Sequence, residues 1–235
     1  LGDMYEEDEV EARFGLETAL ARENVIKQIK GPTIEFDMPD TSNRVKESIL
    51  RNYRFYNSYL ETRNISMNTA NKYDIGYDKY NDHITFPIRD IKKICLGVGR
   101  IAIHEKKYIY PPNFIKPLYG IYELPRYVNH LWVVEGPFNL WSLYEYKKTG
   151  VALLGTGTSK QLKDLLEMKC DDYVLALDGD NAGRKGIFKI GNYLVSNRKK
   201  VYVACVPDNQ DINDMTTEQF QNMLVIPFYE WVSYY

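Results

Sequence analysis

The chain has 235 residues, with 30 Lys and Arg against 32 Asp and Glu, a net charge of −2. This length allows one or two domains with a sizeable core. No run of about 18 apolar residues predicts a transmembrane helix. The cysteines Cys95, Cys170 and Cys205 are far apart and form no CxxC pair, which excludes a zinc ribbon or a disulfide framework. We therefore expect a cytoplasmic protein with reduced thiols.

Charge is distributed unevenly along the chain. Residues 1–45 carry a net charge of −6, residues 46–127 carry +6, and residues 128–235 carry −2. A basic middle part suits a partner that is a polyanion. Chance variation in solvated surface charge is the alternative.

The sequence pattern of the first 127 residues changes from helical to strand-like. The apolar spacing predicts a helix over residues 1–30, a Gly- and Pro-containing linker, and a second helix over residues 42–63. Four short strands are then predicted in the stretches YDIGYD, HITFPIRD, ICLGVGRIAI and KKYIYPP. Together they predict a small α+β unit.

From Leu131 onward, apolar strands alternate with helices. The strands are predicted in LWVVEG, VALLGTG, YVLALDGD and KVYVACVPD. Such alternation is typical of a parallel sheet with helices on both faces. Functional groups of these sheets collect beyond the carboxyl ends of the strands.

Acidic residues follow three of these four strands. Glu135 ends the first strand, Asp178 and Asp180 end the third, and Asp211 follows the fourth. Hard divalent cations prefer carboxylate oxygens, and they often bridge to substrate phosphates. The alternative is that these residues cap helices, which for Asp180 alone is about as probable as metal binding.

The order of these motifs resembles a known family. Glu135-Gly136, Gly155-Thr156-Gly157-Thr158 and Asp178-Gly179-Asp180 are similar to the Toprim domain, and the upstream stretches resemble the catalytic core of DnaG-like DNA primases. The resemblance implies an α/β fold in which a small α+β subdomain precedes a Toprim domain. It divides the chain into an acidic segment 1–45, a basic subdomain 46–127, a Toprim domain 128–225 and a tail 226–235.

The resemblance also implies an activity, the template-directed synthesis of short RNA primers on single-stranded DNA. Glu135, Asp178 and Asp180 would hold Mg²⁺ or Mn²⁺, with Asp211 assisting. Glu135 could instead act as a general base or acid. Implied partners are the DNA template, ribonucleoside triphosphates and a replicative helicase, with no membrane; a phage-type replication protein is similar in layout.

Basic residues of the resembling motifs would bind template and nucleotide phosphates. They are Arg89, Arg100, Lys107, Lys116 and Arg184. Three nearby tyrosines, Tyr108, Tyr110 and Tyr119, could stack on unpaired bases, although core packing is the more frequent role of a single tyrosine.

The chain departs from the family pattern at two acidic positions. Asn139 stands where many members have an Asp, and the Asp-x-Asp of the late motif reads Asp211-Ile212-Asn213-Asp214 here. No Cys/His cluster predicts zinc in this chain, so either it is the core of a larger primase or partners supply the missing functions. The alternatives left open are a Toprim-type nuclease or phosphotransferase and a non-catalytic nucleic-acid-binding module.

Overall fold

The structure is a computed structural model that describes residues 44–105 and 107–234. The helix and linker predicted within residues 1–43 lie outside the described residues. The strands are β1 (Gly76–Asp78), β2 (His83–Arg89), β3 (Cys95–Ala102), β4 (Lys107–Ile109), β5 (Val128–Val134), β6 (Thr149–Ala152), β7 (Cys170–Leu175), β8 (Val201–Ala204) and β9 (Val225–Pro227). The helices are α1 (Glu47–Leu50), α2 (Tyr59–Thr62), α3 (Met67–Lys72), α4 (Pro137–Glu145), α5 (Ser159–Leu166), α6 (Asn181–Ser196), α7 (Thr217–Asn222) and α8 (Phe228–Ser233), with 3-10 helices at Arg51–Tyr53 and Ile212–Asp214.

The described part of the helix predicted over residues 42–63 is broken, and that prediction is wrong in extent. Helix α1 passes into the first 3-10 helix, and the backbone N–H of Phe55 then donates to the Tyr53 carbonyl at 2.7 Å. The same carbonyl lies against β1, so close that a Cβ on Gly76 would sit 2.0 Å from its oxygen. The chain leaves the helix at Tyr53 because its backbone packs directly on the sheet.

The four predicted upstream strands form an antiparallel sheet in the order β1-β2-β3-β4. The side chains of Ile84, Phe86 and Ile88 on β2 are fully buried. Opposite Phe86 the partner strand carries Gly99, whose absent side chain leaves room for the ring, since a Cβ there would lie 2.3 Å from it. The sheet therefore has a tightly packed inner face.

The downstream strands form a second sheet in the order β6-β5-β7-β8-β9. Its first four strands are parallel, as predicted, and β9 is added antiparallel to β8. Residues that the sequence division placed in a tail thus belong to the sheet and its cover, with Phe228 and Trp231 of α8 buried. The short segment Val225–Pro227 carries little strand signal of its own, and its place depends on pairing with β8.

Side chains of the parallel sheet alternate between two hydrophobic cores. Leu131 and Val133 of β5 point into the core under α5, α6 and α8. Trp132 and Val134 point into the other core, which also holds α4 and the inner face of the antiparallel sheet. There the Phe86 and Trp141 rings meet edge to face, 5.7 Å between centroids. The predicted α/β class, with helices on both faces, is confirmed, and the two sheets share a core.

Among the described residues, no helix combines the length and the apolar character that crossing a bilayer requires.

Candidate active site

Acidic side chains from the parallel sheet line a cavity between the two sheets. Strands β5 and β7 are parallel neighbours with Val133 opposite Leu175, so the residues after their carboxyl ends lie side by side. The cavity has a volume of about 510 Å³. Its acidic lining residues are Glu135, Asp178, Asp211 and Asp214.

The turn after β7 is pressed against the loop that carries Asp211. The N–H of Gly179 donates to the Gln210 carbonyl, and the N–H of Asn209 donates to the Gly179 carbonyl, both at 2.9 Å. A Cβ on Gly179 would lie 1.9 Å from the Pro207 oxygen. Only glycine fits between these two backbone segments, and their contact brings Asp178 and Asp211 to the same cavity.

The carboxylates in the cavity repel each other. Burial, followed by the charges of Glu135 and Asp211, raises the pKa of Asp178 to about 7. Burial raises the pKa of Glu135 too, and the charges of Asp180 and Asp211 add to the effect. A partly buried group of oxygen donors with excess negative charge fits a hard divalent cation.

The arrangement is not a closed metal cage. Across residues 44–105 and 107–234, no three His, Cys, Asp or Glu side chains converge closely enough to hold an ion by themselves. An open set of this kind suits Mg²⁺, which keeps several waters and is often bound through one or two carboxylates plus substrate phosphates.

Two of the predicted acidic residues also cap helices. Asp180 is exposed, and its Oδ1 accepts a 2.7 Å hydrogen bond from the N–H of Gly183 in the first turn of α6. Asp211 accepts from the N–H groups of Asn213 and Asp214 at 2.7 and 3.0 Å. The capping alternative therefore holds for both, while Asp211 also lines the cavity and Asp180 acts on Glu135 through its charge.

Two cations line the acidic cavity. Lys116, one of the predicted residues, donates from Nζ to the Leu154 carbonyl at 2.7 Å and lies 4.3 Å from the Tyr110 ring centroid. Burial lowers the pKa of this lysine. Arg63 was not singled out from the sequence; its guanidinium lies 5.0 Å from the Phe138 ring centroid and 4.0 Å from an Asp214 carboxylate oxygen. Its position after a short helix gave no signal that it would face the acids.

Arg89 does not reach the site, which corrects the expectation that it binds phosphate. Its side chain is 3% exposed and forms ion pairs with Asp74 at 2.7 Å and Glu47 at 3.2 Å. A guanidinium buried between two carboxylates joins β2 to the segments before it and is not presented to a nucleic acid.

The other predicted basic residues are at least partly accessible. Lys107 is exposed at the start of β4, and Arg100 is half-buried on β3. Arg184 is half-buried on α6 and pairs with Asp208 at 2.9 Å. For these three residues, a role in phosphate binding stays a prediction.

The three tyrosines separate into two groups. Tyr119 is 1% exposed and accepts a 3.1 Å hydrogen bond from Trp141 Nε1, so it belongs to the core. Tyr108 and Tyr110 line the cavity, and Tyr108 is 43% exposed. Only the latter two could reach a base.

Comparisons with known proteins agree on one family. A family described as Toprim-like matches residues 132–216. The DNA primase of Aquifex aeolicus is 30% identical over 199 residues, which cover 78% of this chain and 39% of that protein. The DNA primase of Pseudomonas aeruginosa is 32% identical over 149 residues, 57% of this chain and 22% of that protein. The chain thus spans well under half the length of these relatives.

Solved structures show the same fold. A DnaG primase catalytic domain bound to single-stranded DNA superimposes with a TM-score of 0.62 and 23% identity, over 75% of this chain and 73% of that one. The primase fragment of the bacteriophage T7 primase-helicase gives 0.59 and 20%, over 75% and 78%. Toprim and primase catalytic cores are in general dependent on divalent metals. Residues 132–216 thus match a Toprim-like family, and the chain is similar in sequence and in fold to the DnaG-like primase catalytic core that its motifs resemble.

Proposed function

We propose that this chain is the catalytic core of a DNA primase, which makes short RNA primers on a single-stranded DNA template by nucleotidyl transfer. The observation that carries the proposal is the cavity between the two sheets. It combines Glu135, Asp178 and Asp211 with the cations Lys116 and Arg63. Such a site can bind a nucleoside triphosphate in two ways at once, with its cations on the phosphates and its carboxylates on the divalent ions that accompany them.

The carboxylates would hold the divalent ions. Glu135 and Asp178 are the primary candidates, with Asp211 and Asp180 close enough to act on them through their charges. When bound, Mg²⁺ or Mn²⁺ would lower the pKa of the attacking 3′-hydroxyl and neutralise charge on the α-phosphate and the leaving pyrophosphate.

The remaining groups would bind and orient the reactants. Lys116 and Arg63 contact the cavity from the side of the antiparallel sheet and offer donors to phosphate oxygens. The 3′-oxygen forms its bond to the α-phosphorus as the bond to pyrophosphate breaks. In the alternative role of Glu135, its carboxylate accepts the proton of that hydroxyl, and its raised pKa favours holding the proton.

The template would cross the open side of the cavity. Lys107 and Tyr108 are exposed on β4, where one can contact a phosphate and the other can stack on a base. The related catalytic domain solved with single-stranded DNA supports such a substrate. The phage relative is part of a primase-helicase, which supports a helicase as a partner.

One incubation tests the proposal. The whole chain is mixed with single-stranded template, labelled ribonucleotides and Mn²⁺, and the products are resolved by length. We expect short RNA oligomers that depend on template and disappear with EDTA. Nicked or degraded DNA without oligomers would instead establish a Toprim-type nuclease.

A further inference from the structure

Two buried side-chain amides form a hydrogen-bond network that includes Asp178. Asn139 on α4 and Asn213 in the 3-10 helix Ile212–Asp214 are 3% and 5% exposed. The Nδ2 of Asn139 donates to Asp178 Oδ1 at 2.9 Å. Its Oδ1 accepts at 3.3 Å from the backbone N–H of Asn213, which also donates to Asp211 Oδ1 at 2.7 Å. One carboxamide thus connects the end of β7 to the segment that carries Asp211.

Chemistry fixes the orientation of the Asn139 amide. The backbone N–H of Asn213 can only donate, so the carbonyl oxygen of Asn139 must face it. The amide nitrogen must then face Asp178, where it needs an acceptor. An ionised carboxylate satisfies that need, and a second carboxylate in place of the amide would repel it.

Asn213 is held through its amide nitrogen, while its Oδ1 is buried without a hydrogen-bond partner in the described part of the chain. Its Nδ2 donates to the Arg63 carbonyl and to Ser142 Oγ, each at 2.8 Å. The carbonyl of Arg63 can only accept, which fixes this amide as well. The network therefore joins α4, the segment after α2 and the 3-10 helix.

We propose that Asn139 and Asn213 are positioning residues that hold the Asp178 carboxylate in place to bind a metal ion. Asn139 donates the hydrogen bond to Asp178, and Asn213 fixes the orientation of Asn139. This inference rests on the proposed metal-binding function of Asp178. It also assigns the two family departures a joint role as an amide pair. Partners of this kind that orient a ligand typically change metal affinity by 10–100-fold when they are removed.

The first test measures Mn²⁺ binding by the whole chain, using the paramagnetic resonance signal of free Mn²⁺. Asn139→Leu keeps the approximate volume and removes both hydrogen bonds, so we expect affinity to fall by about tenfold. The matched control is Asn197→Leu, because Asn197 is exposed and donates only locally, to the Tyr193 carbonyl. A change below threefold for Asn139→Leu would overturn the proposal. If that variant fails to fold, Asn139→Ser replaces it under the same criterion.

A second test needs no metal. Asn139→Asp retains an acceptor for Asn213 but sets a carboxylate against Asp178. In EDTA at about pH 9, where both carboxyl groups are ionised, its urea midpoint should therefore fall below that of the original chain. An unchanged midpoint would contradict the hydrogen bond. In the same buffer, the free energy of unfolding is compared for Asn139→Ala, Asp178→Ala and the double variant. The change in the double variant should be less unfavourable than the sum of the two single changes.

The two tests separate the possible failures. If the original chain binds no Mn²⁺, the proposed metal site is wrong, and the double-variant comparison alone decides whether Asn139 holds Asp178. If the two single changes in the free energy of unfolding add up in the double variant, the positioning role is rejected. A less unfavourable change in the double variant would support it. If the original chain binds Mn²⁺ and Asn139→Leu binds equally well, the metal site stands and the positioning role is rejected.

Discussion

Charged side chains are treated in opposite ways by the two sheets. In the antiparallel sheet, Arg89 is buried between Glu47 and Asp74, and these contacts raise the pKa of its guanidinium although burial acts to lower it. At the rim of the parallel sheet, Asp178 and Glu135 are partly buried beside further carboxylates, and their pKa values are raised. The positive charge of Arg89 is neutralised by side chains of the protein, while the negative charge at the rim is available to a bound cation.

Helix α4 shows the same contrast within one element. Glu135 immediately precedes the helix and its carboxylate faces other acids, whereas Glu145 at the far end accepts hydrogen bonds from the Ser66 N–H and the Thr69 hydroxyl. Burial alone would raise the pKa of Glu145, but these hydrogen bonds hold it below its usual value. The difference is that Glu145 is held by hydrogen-bond donors at the start of α3, whereas Glu135 and Asp178 face further carboxylates, the arrangement expected of a functional site.

The largest effect should come from removing a carboxylate of the acidic cavity. Asp178→Ala is expected to reduce primer synthesis by about three orders of magnitude, since metal ligation supplies several kcal/mol of transition-state stabilisation. Initial rates of RNA synthesis measure it, and circular dichroism checks the fold. Asp171→Asn, at the opposite end of the same strand, should retain activity. Full activity of Asp178→Ala would remove the site from consideration.

Breaking the paired region should change stability and leave binding intact. Arg89→Gln is expected to lower the free energy of unfolding by about 2 kcal/mol, because a buried ion pair loses one partner while the carboxylates of Glu47 and Asp74 remain partly solvated. Urea unfolding measures this loss, with exposed Lys92→Gln as the control. A normal midpoint combined with weaker binding of single-stranded DNA would show instead that Arg89 contacts phosphate.

Glu145 gives a smaller effect with a defined pH dependence. Its folded-state pKa is lowered, so its contribution is fully present above its unfolded pKa and is lost as the pH falls through the lower folded value. Glu145→Gln should therefore cost about 1 kcal/mol at pH 7, a difference that shrinks as the pH falls below the unfolded pKa of about 4.3 and is gone only below the lowered folded value. Unfolding curves across this range test it against exposed Glu218→Gln. If the stability difference between Glu145→Gln and the original chain grew as the pH fell, the expected direction of the pH dependence would be wrong.

The smallest expected effect concerns a single phosphate contact. Lys107→Ala should weaken binding of single-stranded DNA about threefold and reduce the slope of log K against log salt by about 0.7. Fluorescence anisotropy at several salt concentrations measures both quantities. Lys200→Ala, at the start of β8, serves as the control. An unchanged slope would refute the phosphate role of Lys107.

Most of the fold follows from the sequence because its strands are short, apolar and well separated. Glu135, Asp178 and Asp211 were predicted at one rim because the carboxyl ends of parallel strands must meet there. Arg89 was misplaced because an arginine is usually exposed unless it is paired, and its partners Glu47 and Asp74 are 42 and 15 residues away in sequence. Arg63 and strand β9 were missed because both depend on tertiary contacts, one with Phe138 and the other with β8.

The packing of Phe86 against Trp141 ties the two walls of the cavity to a common interior. The separation of the two walls is therefore set by side-chain packing inside this core. For the same reason, cutting the chain between the two sheets would produce two fragments with exposed apolar faces, neither of them a self-sufficient unit.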